Sequence, residues 1–139
     1  KSVLIKQGYT PPIHDFVILF EGRDETQNVL NAEEVFLLIS YDINKADKQA
    51  FDKINAFAAE AEKLKKPFIG LSASLDEDVD AFRHDVQAAF PFATMDATTL
   101  KTIIRANPGI VLLKKGSIIK KWHYNDLPSF EEVMNKHLN

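Results

Sequence analysis

The chain has 139 residues, of which 45% are hydrophobic and 27% charged, and its formal net charge is −3. This length suits one globular domain, and so small a net charge, with acids and bases mixed along the chain, disfavours nucleic acid as a partner. The sequence has no cysteine, so these residues can form no disulfide, thiolate nucleophile, thiolate metal site or thiol redox centre. Its longest apolar runs fall far short of the roughly 20 residues that span a bilayer, which predicts a soluble domain.

The first part of the chain predicts two strands with a turn region between them. It opens on Lys1 without a methionine or a signal-peptide pattern, which we interpret as a fragment or a matured product. Residues 14–20 (HDFVILF) predict a strand, and residues 21–24 a turn. Residues 26–30 fit either a short strand or a helical turn. Residues 35–39 (VFLLI) are continuously apolar, which predicts a strand buried on both faces of a sheet.

In the middle of the chain the hydrophobic period changes to that of helices. Apolar residues recur at spacings of three and four across residues 46–64, which predicts one long helix that Pro67 ends. Residues 68–71 predict a second buried strand, and residues 76–90 a helix with acids in its first turn. Residues 91–94 are predicted to be a link.

The last part of the chain predicts a short helix, a hairpin and a final helix. Thr98 or Thr99 is expected to cap the short helix. Residues 110–113 and 118–122 predict antiparallel strands, because a Lys-Lys-Gly-Ser turn separates them. An amphipathic helix is predicted to start at Pro128.

This order of elements predicts an α/β domain with a mixed sheet. A short helix, then Asn107-Pro108, a strand, a turn, a strand and a terminal helix resembles the C-terminal half of a thioredoxin-like domain. In that fold the proline is cis and faces the active-site helix. The front half is similar to the branch that includes peroxiredoxins and membrane-tethered thiol reductases. The resemblance implies a three-layer αβα sandwich, with a C-terminal antiparallel hairpin and an N-terminal strand extension.

Three segments carry a closer resemblance. They are IHDF at residues 13–16, TLKTIIRANPG at residues 99–109 and KWHYNDLP at residues 121–128. They resemble the thioredoxin-like domain that follows the membrane helices in a group of bacterial DoxX-like proteins. The resemblance implies that residues 1–139 are a single domain of a longer membrane protein, with residues 1–13 as an N-terminal extension. It also implies a parent membrane domain as partner and a tether to the bacterial cell membrane, with the periplasmic side favoured.

The sequence departs from its redox-active relatives at the start of the long helix. Those relatives carry a C-x-x-C motif there, where a helix N-terminus lowers the thiol pKa. The corresponding residues here fall near Lys45-Ala46-Asp47-Lys48. Neither lysine can exchange disulfides, so the resemblance implies the frame of a thiol oxidoreductase without its chemistry.

Other kinds of catalytic or metal site find little support. The four histidines share no metal-ligand spacing, and we expect no metal or cofactor. The acids at residues 76–80 superficially resemble a calcium loop, but they are better explained as a helix cap and dipole partners. Serines stand at predicted strand ends without a recognisable base, at Ser40, Ser72 and Ser74. Trp122 and Tyr124 fit either an exposed patch or packing against the last helix.

Three functions remain open. The first is a non-catalytic binding or accessory module, whose groove between residues 41–48 and Asn107-Pro108 holds an extended peptide or protein partner by edge pairing. The second is an enzyme with a non-thiol site at the start of the long helix, which can bind an anion. The third is a purely structural domain. The candidate site residues are Tyr41, Asp42, Lys45, Lys48, Asn107, Pro108 and Gly109.

Overall fold

The computed structural model describes residues 17–104 and 106–137. Seven strands form one mixed sheet: β1 (Leu19–Phe20), β2 (Arg23–Asp24), β3 (Val35–Ser40), β4 (Phe68–Ser72), β5 (Phe92–Thr94), β6 (Gly109–Lys114) and β7 (Ser117–His123). The helices are α1 (Thr26–Leu30), α2 (Phe51–Lys63), α3 (Asp76–Val86), α4 (Ala97–Ile103) and α5 (Phe130–His137). Across the sheet the strands lie in the order β2-β1-β5-β4-β3-β6-β7.

β3 is an interior strand of the sheet, as its apolar sequence predicts. All six of its residues are buried, because it pairs in parallel with β4 on one side and antiparallel with β6 on the other. Helices cover both faces of the sheet. The expected mixed sheet, with a C-terminal hairpin at one side, is therefore confirmed.

The two faces of the sheet carry separate hydrophobic clusters. We call the first the aromatic face; its buried residues come from β3, β4, β6, β7, α2, α3, α5 and the segments between elements. They include Phe36, Phe51, Phe57, Phe68, Phe82, Phe90, Trp122 and Phe130. We call the second the aliphatic face; its buried residues are Ile18, Val29, Val35, Leu37, Ile39, Leu71, Ala93, Met95, Leu100, Ile103, Val111 and Leu113. The helices α1 and α4 lie on this second face, which completes the predicted three layers.

The long helix begins later than its hydrophobic period predicts. Residues 43–45 and 48–50 form two 3₁₀ turns, and α2 starts only at Phe51. The Asp42 carboxylate accepts a hydrogen bond from the Asn44 amide, and the Asp47 carboxylate accepts from the Gln49 amide. Aspartate side chains commonly bond local amides in this way and so favour turns over helix interior.

Residues 92–94, predicted to be a link, form the strand β5. This prediction was wrong because β5 is short and only one of its three residues is buried, so it carries no clear strand pattern. Its Phe92 ring lies over Gly70 of β4, where an added Cβ would stand 2.6 Å from the ring. The pairing of β5 with β4 therefore depends on a residue that has no side chain.

The structure also shows the conformation of residues 26–30, the cap of α4 and the first strand. Residues 26–30 are the helix α1, and the cap of α4 is the Asp96 carboxylate, not a threonine. Of the predicted strand at residues 14–20, the structure describes residues 17–20, which contain β1; residues 1–13 lie outside the described part. β1 pairs with β5 and β2 and so extends the sheet as expected.

The C-terminal hairpin and helix are confirmed. Lys115 and Gly116 form the turn with φ of 50° and 84°, as a tight turn between twisted strands requires. Trp122 is buried, and its ring contacts that of His137 on α5 with centroids 6.0 Å apart. Packing against the last helix is thus the correct alternative for Trp122. None of the helices within residues 17–104 and 106–137 combines the length and the apolar character that crossing a bilayer requires.

Candidate functional site

The candidate residues come together at one end of the sheet. Ile39 near the end of β3 is paired with Gly109 at the start of β6, and Gly109 is paired with His123 at the end of β7. Because these strands are antiparallel neighbours, the segment after β3, the segment before β6 and the segment after β7 emerge at the same end. The sheet therefore brings the start of the segment that follows β3 next to Asn107.

The side chain of Asn107 joins the two sides of this region. Its amide nitrogen donates a hydrogen bond to the backbone carbonyl of Asp42 at 2.9 Å, and its amide oxygen accepts one from the Ser40 hydroxyl at 2.5 Å. Ser40 is fully buried, so loss of this bond would leave a buried hydroxyl without a partner. Asn107 thus fixes the distance between the two loops.

The residues after Asn107 are shaped by close packing. The Asn107–Pro108 peptide bond is cis, and Pro108 is buried. An added Cβ at Gly109 would stand 2.6 Å from Cδ1 of Ile104. Glycine is needed at this position because the end of α4 lies directly against the start of β6.

Tyr41 and Asp42 are each held by a specific contact. The ammonium group of Lys101 on α4 lies 4.9 Å from the centroid of the Tyr41 ring, within the range of a cation–π interaction. The carboxylate of Asp42 caps the first 3₁₀ turn, and its backbone carbonyl accepts from the Lys45 amide as well as from Asn107. Both residues are half-buried, and they build the wall of the region on the side of β3.

Lys45 and Lys48 do not stand at the N-terminus of the long helix, which is a correction to the prediction. Both side chains are exposed. The Lys48 ammonium lies 2.5 Å from the carboxylate of Asp85 on α3, and this hydrogen bond and charge lower the pKa of Asp85. The second 3₁₀ turn, which contains Lys48, is capped by the Asp47 carboxylate, whose oxygen accepts from the amides of the turn. A side-chain anion therefore already occupies the place where a bound anion was expected.

Ser74 and Tyr124 contribute to the region, although the sequence does not predict them as part of it. The Ser74 hydroxyl accepts from the amide of Ile43, which ties the loop after β4 to the first 3₁₀ turn. Tyr124, after β7, reaches Asp47; desolvation, followed by the hydrogen bond and charge of Asp47, raises the pKa of Tyr124. The serines at strand ends were noticed in the sequence, but their hydroxyls hold neighbouring loops in place. No local sequence pattern predicts that Tyr124 contacts Asp47.

Two cavities of the described part of the chain lie away from this region. A cavity of about 630 Å³ lies elsewhere, between α2 and residues 87–91. Another of about 340 Å³ lies on the aliphatic face near α1. The seven candidate residues line neither of these two cavities.

Comparison with known proteins agrees with this architecture. No family model matches the sequence, and no curated protein sequence matches it either. The thioredoxin domain of a thiol-disulfide oxidoreductase from Bacteroides vulgatus superposes with a TM-score of 0.66 at 13% identity, over 88% of this chain and 93% of that one. StoA from Bacillus subtilis gives a TM-score of 0.60 at 16% identity, over 86% and 93%. The chain has the thioredoxin-like fold.

A mutant of PrxQ from Xylella fastidiosa is also similar, with a TM-score of 0.58 at 14% identity over 90% of this chain and 91% of that one. At these identities the likeness concerns the fold alone. The oxidoreductase from Bacteroides vulgatus is named for thiol-disulfide chemistry, for which this chain has no cysteine. The similarity therefore shows the fold of the chain and not its activity.

Proposed function

We propose that this chain is a non-catalytic thioredoxin-like binding module, whose groove between residues 41–48 and 106–109 holds an extended segment of a peptide or protein partner. The observation that carries the proposal is the bridge from Asn107 to Ser40 and to Asp42 across the groove. Walls that are fixed before binding reduce the entropy lost when a flexible peptide is captured. Extended peptides gain affinity from main-chain hydrogen bonds, which require no reactive side chain.

The alternative of an enzyme with a non-thiol site finds less support in the geometry. It requires a helix N-terminus with free amides beside Lys45 or Lys48. The Asp47 carboxylate accepts hydrogen bonds from the amides of Gln49 and Ala50, and α2 starts only after them. An anionic substrate would therefore compete with a covalently attached carboxylate at this turn.

The binding proposal is tested by NMR titration of the ¹⁵N-labelled chain with a pool of extended peptides and, separately, with small anions. We expect peptide-induced shifts confined to residues 41–48 and 106–110, and none with anions. Asn107→Ala should weaken the interaction because it releases one wall of the groove. Asn31→Ala, which changes an exposed asparagine after α1, is the matched control. No shift at high peptide concentration would contradict the proposal and favour a purely structural domain.

We further propose that the domain belongs to a DoxX-like membrane protein and lies on the periplasmic side of the bacterial cell membrane. Support comes from the resemblance of residues 99–109 and 121–128 to the domain that follows the membrane helices in those proteins. Fractionation of cells that produce the natural protein should place it with the membranes. Protease added to spheroplasts should degrade the domain. Recovery in the soluble fraction, or protection from the protease, would contradict the tether or the side, respectively.

A further inference from the structure

The two edges of the sheet differ in length. β2 closes one edge with two residues, whereas β7 closes the other with seven, Ser117–His123. β7 pairs with β6 on one side only, and it is the last strand in the order that residues 17–104 and 106–137 form. The outward backbone N–H and C=O groups of such a strand are a template for pairing with another chain. β7 therefore offers a second docking position, which runs along the sheet rather than across its end.

The charged side chains of this edge are all positive. Residues 109–123 contain four lysines and no acid. The Lys115 ammonium pairs with Glu33 at 3.1 Å, and the Lys121 ammonium donates to the Ile103 carbonyl at the end of α4 at 2.8 Å. Lys114 and Lys120 are exposed, and within the described part of the chain neither forms an ion pair. Uncompensated positive charge thus remains at Lys120 in the middle of β7 and at Lys114 on β6 beside the hairpin turn.

These charges decide which partner fits the edge. If two copies paired antiparallel about the centre of β7, Lys120 would face Lys120 of the other copy, and like charges directly opposite each other destabilise a strand pair. An acidic strand would instead place a carboxylate opposite Lys120. Ile119 is 41% exposed and would pack against a β-branched side chain of the incoming strand. We propose that β7 binds an extended acidic segment of a partner protein, added to the sheet as a further strand.

The irregularity in β7 limits where this pairing occurs. The register between β6 and β7 shifts between Leu112 and Leu113, which leaves Ile119 without a direct partner on β6. Beyond this bulge Lys120 to His123 pair regularly with β6. Because bulges turn an edge away from regular pairing, the incoming strand should contact residues 120–123 most closely.

The proposal is tested by adding short synthetic peptides to the ¹⁵N-labelled chain. The probe alternates glutamate with valine and threonine. One control peptide has lysine in place of each glutamate, and another carries N-methyl groups on alternate backbone nitrogens, which removes main-chain donors and keeps the charge. We expect amide shifts along residues 117–123 with the acidic probe alone.

Charge-reversal variants supply the second test. Lys120→Glu should weaken binding of the acidic probe at least about fivefold, whereas Lys114→Glu, on β6 beside the hairpin turn, should weaken it less. Lys53→Glu, which makes the same charge change on the exposed side of α2, should leave binding unchanged. Far-UV circular dichroism and the melting temperature of each variant verify that the fold is kept.

Four results would overturn the proposal. The first is the absence of shifts in residues 117–123. The second is equal binding of the N-methylated peptide, which would show charge attraction without strand addition. The third is a dimer in analytical ultracentrifugation that Lys120→Glu abolishes. The fourth is binding to phosphatidylglycerol vesicles, lost in Lys120→Glu, without binding of the peptide, which would show that the basic edge contacts lipid.

Discussion

The two faces of the sheet are built from different residues. The aromatic face buries seven phenylalanines and a tryptophan, and it holds the 13-residue α2 together with α3 and α5. The buried residues of the aliphatic face, among those that the structure describes, include no aromatic ring, and its helices α1 and α4 have five and seven residues. Rings bury about 150–250 Å² each and gain further from edge-to-face contacts. The aromatic face should therefore supply more of the stability.

Five of the eight rings of the aromatic face form a continuous set of contacts: Phe36, Phe57, Phe68, Phe90 and Phe130. Phe36 on β3 contacts Phe57, Phe68 and Phe130, with centroids 5.1, 6.3 and 5.9 Å apart. On the other face a cavity of about 340 Å³ lies between α1, β1 and the sheet. Because a larger cavity of about 630 Å³ lies beside α2 on the aromatic face, the ring contacts, and not the cavities, distinguish the two faces.

The largest effect should come from Phe36→Ala. Phe36 is fully buried, and the change removes the ring that links the sheet to α2 and α5. We expect a loss of about 3–5 kcal/mol in the free energy of unfolding, measured by urea denaturation. Phe36→Leu, which keeps most of the apolar volume, is the control and should lose much less. A loss below about 1 kcal/mol for Phe36→Ala would refute the importance of the aromatic face.

The corresponding change on the aliphatic face is Leu100→Ala. Leu100 is fully buried on α4, and we expect a loss of about 2–4 kcal/mol in the free energy of unfolding. Leu75→Ala, at a leucine that is 66% exposed, should change it by less than about 0.5 kcal/mol. If Leu100→Ala were more destabilising than Phe36→Ala, the ranking of the two faces would be reversed.

A third change tests the end of the sheet, where both faces meet. Asn107→Ala removes two hydrogen bonds and leaves the buried Ser40 hydroxyl without its acceptor, so we expect a loss of about 1–3 kcal/mol. Ser40→Ala removes the donor instead. In a double-mutant cycle the two changes should couple by about 0.5 kcal/mol or more. Strict additivity in urea denaturation would show that the bridge contributes nothing.

The smallest effect concerns the ion pair between Lys48 and Asp85. Because folding lowers the pKa of Asp85, the stability that this pair adds is present above the ordinary carboxyl pKa of 3.8. It is lost as the pH falls through the lower pKa of the folded state. Lys48→Ala should raise the pKa of Asp85 in an NMR pH titration. Lys45→Ala changes an exposed lysine that forms no ion pair within the described residues, and an equal rise in that variant would contradict the assignment.

The sequence predicts those parts of the fold that are encoded by a regular pattern of neighbouring residues. The six buried residues of β3, the period of α2 and the glycine turn of the hairpin each leave a clear pattern. β5 leaves none, because a three-residue strand has too few positions to show alternation. The start of α2 was misplaced because Asp42 and Asp47 direct their local amides into turns.

The candidate site was predictable only in outline. The order of the strands places the start of the segment that follows β3 beside Asn107, and the resemblance of the C-terminal half indicated as much. Asn107 is 65 positions from Asp42 and 67 positions from Ser40 in the chain. A short sequence pattern therefore cannot include both partners of either hydrogen bond. That the groove binds a peptide stays a prediction.

The strand order also bears on how the domain forms during synthesis. β3 lies in the interior of the sheet, yet one of its two neighbours, β6, follows it by about seventy residues in the chain. A nascent chain that has left the ribosome only as far as α4 can pair β3 with β4 but leaves its other edge open. That edge is apolar on both faces and lacks the lysines that protect β7. The unfinished chain is therefore more prone to aggregate than the completed domain. The C-terminal hairpin covers the open edge of β3 and so protects the chain from aggregation.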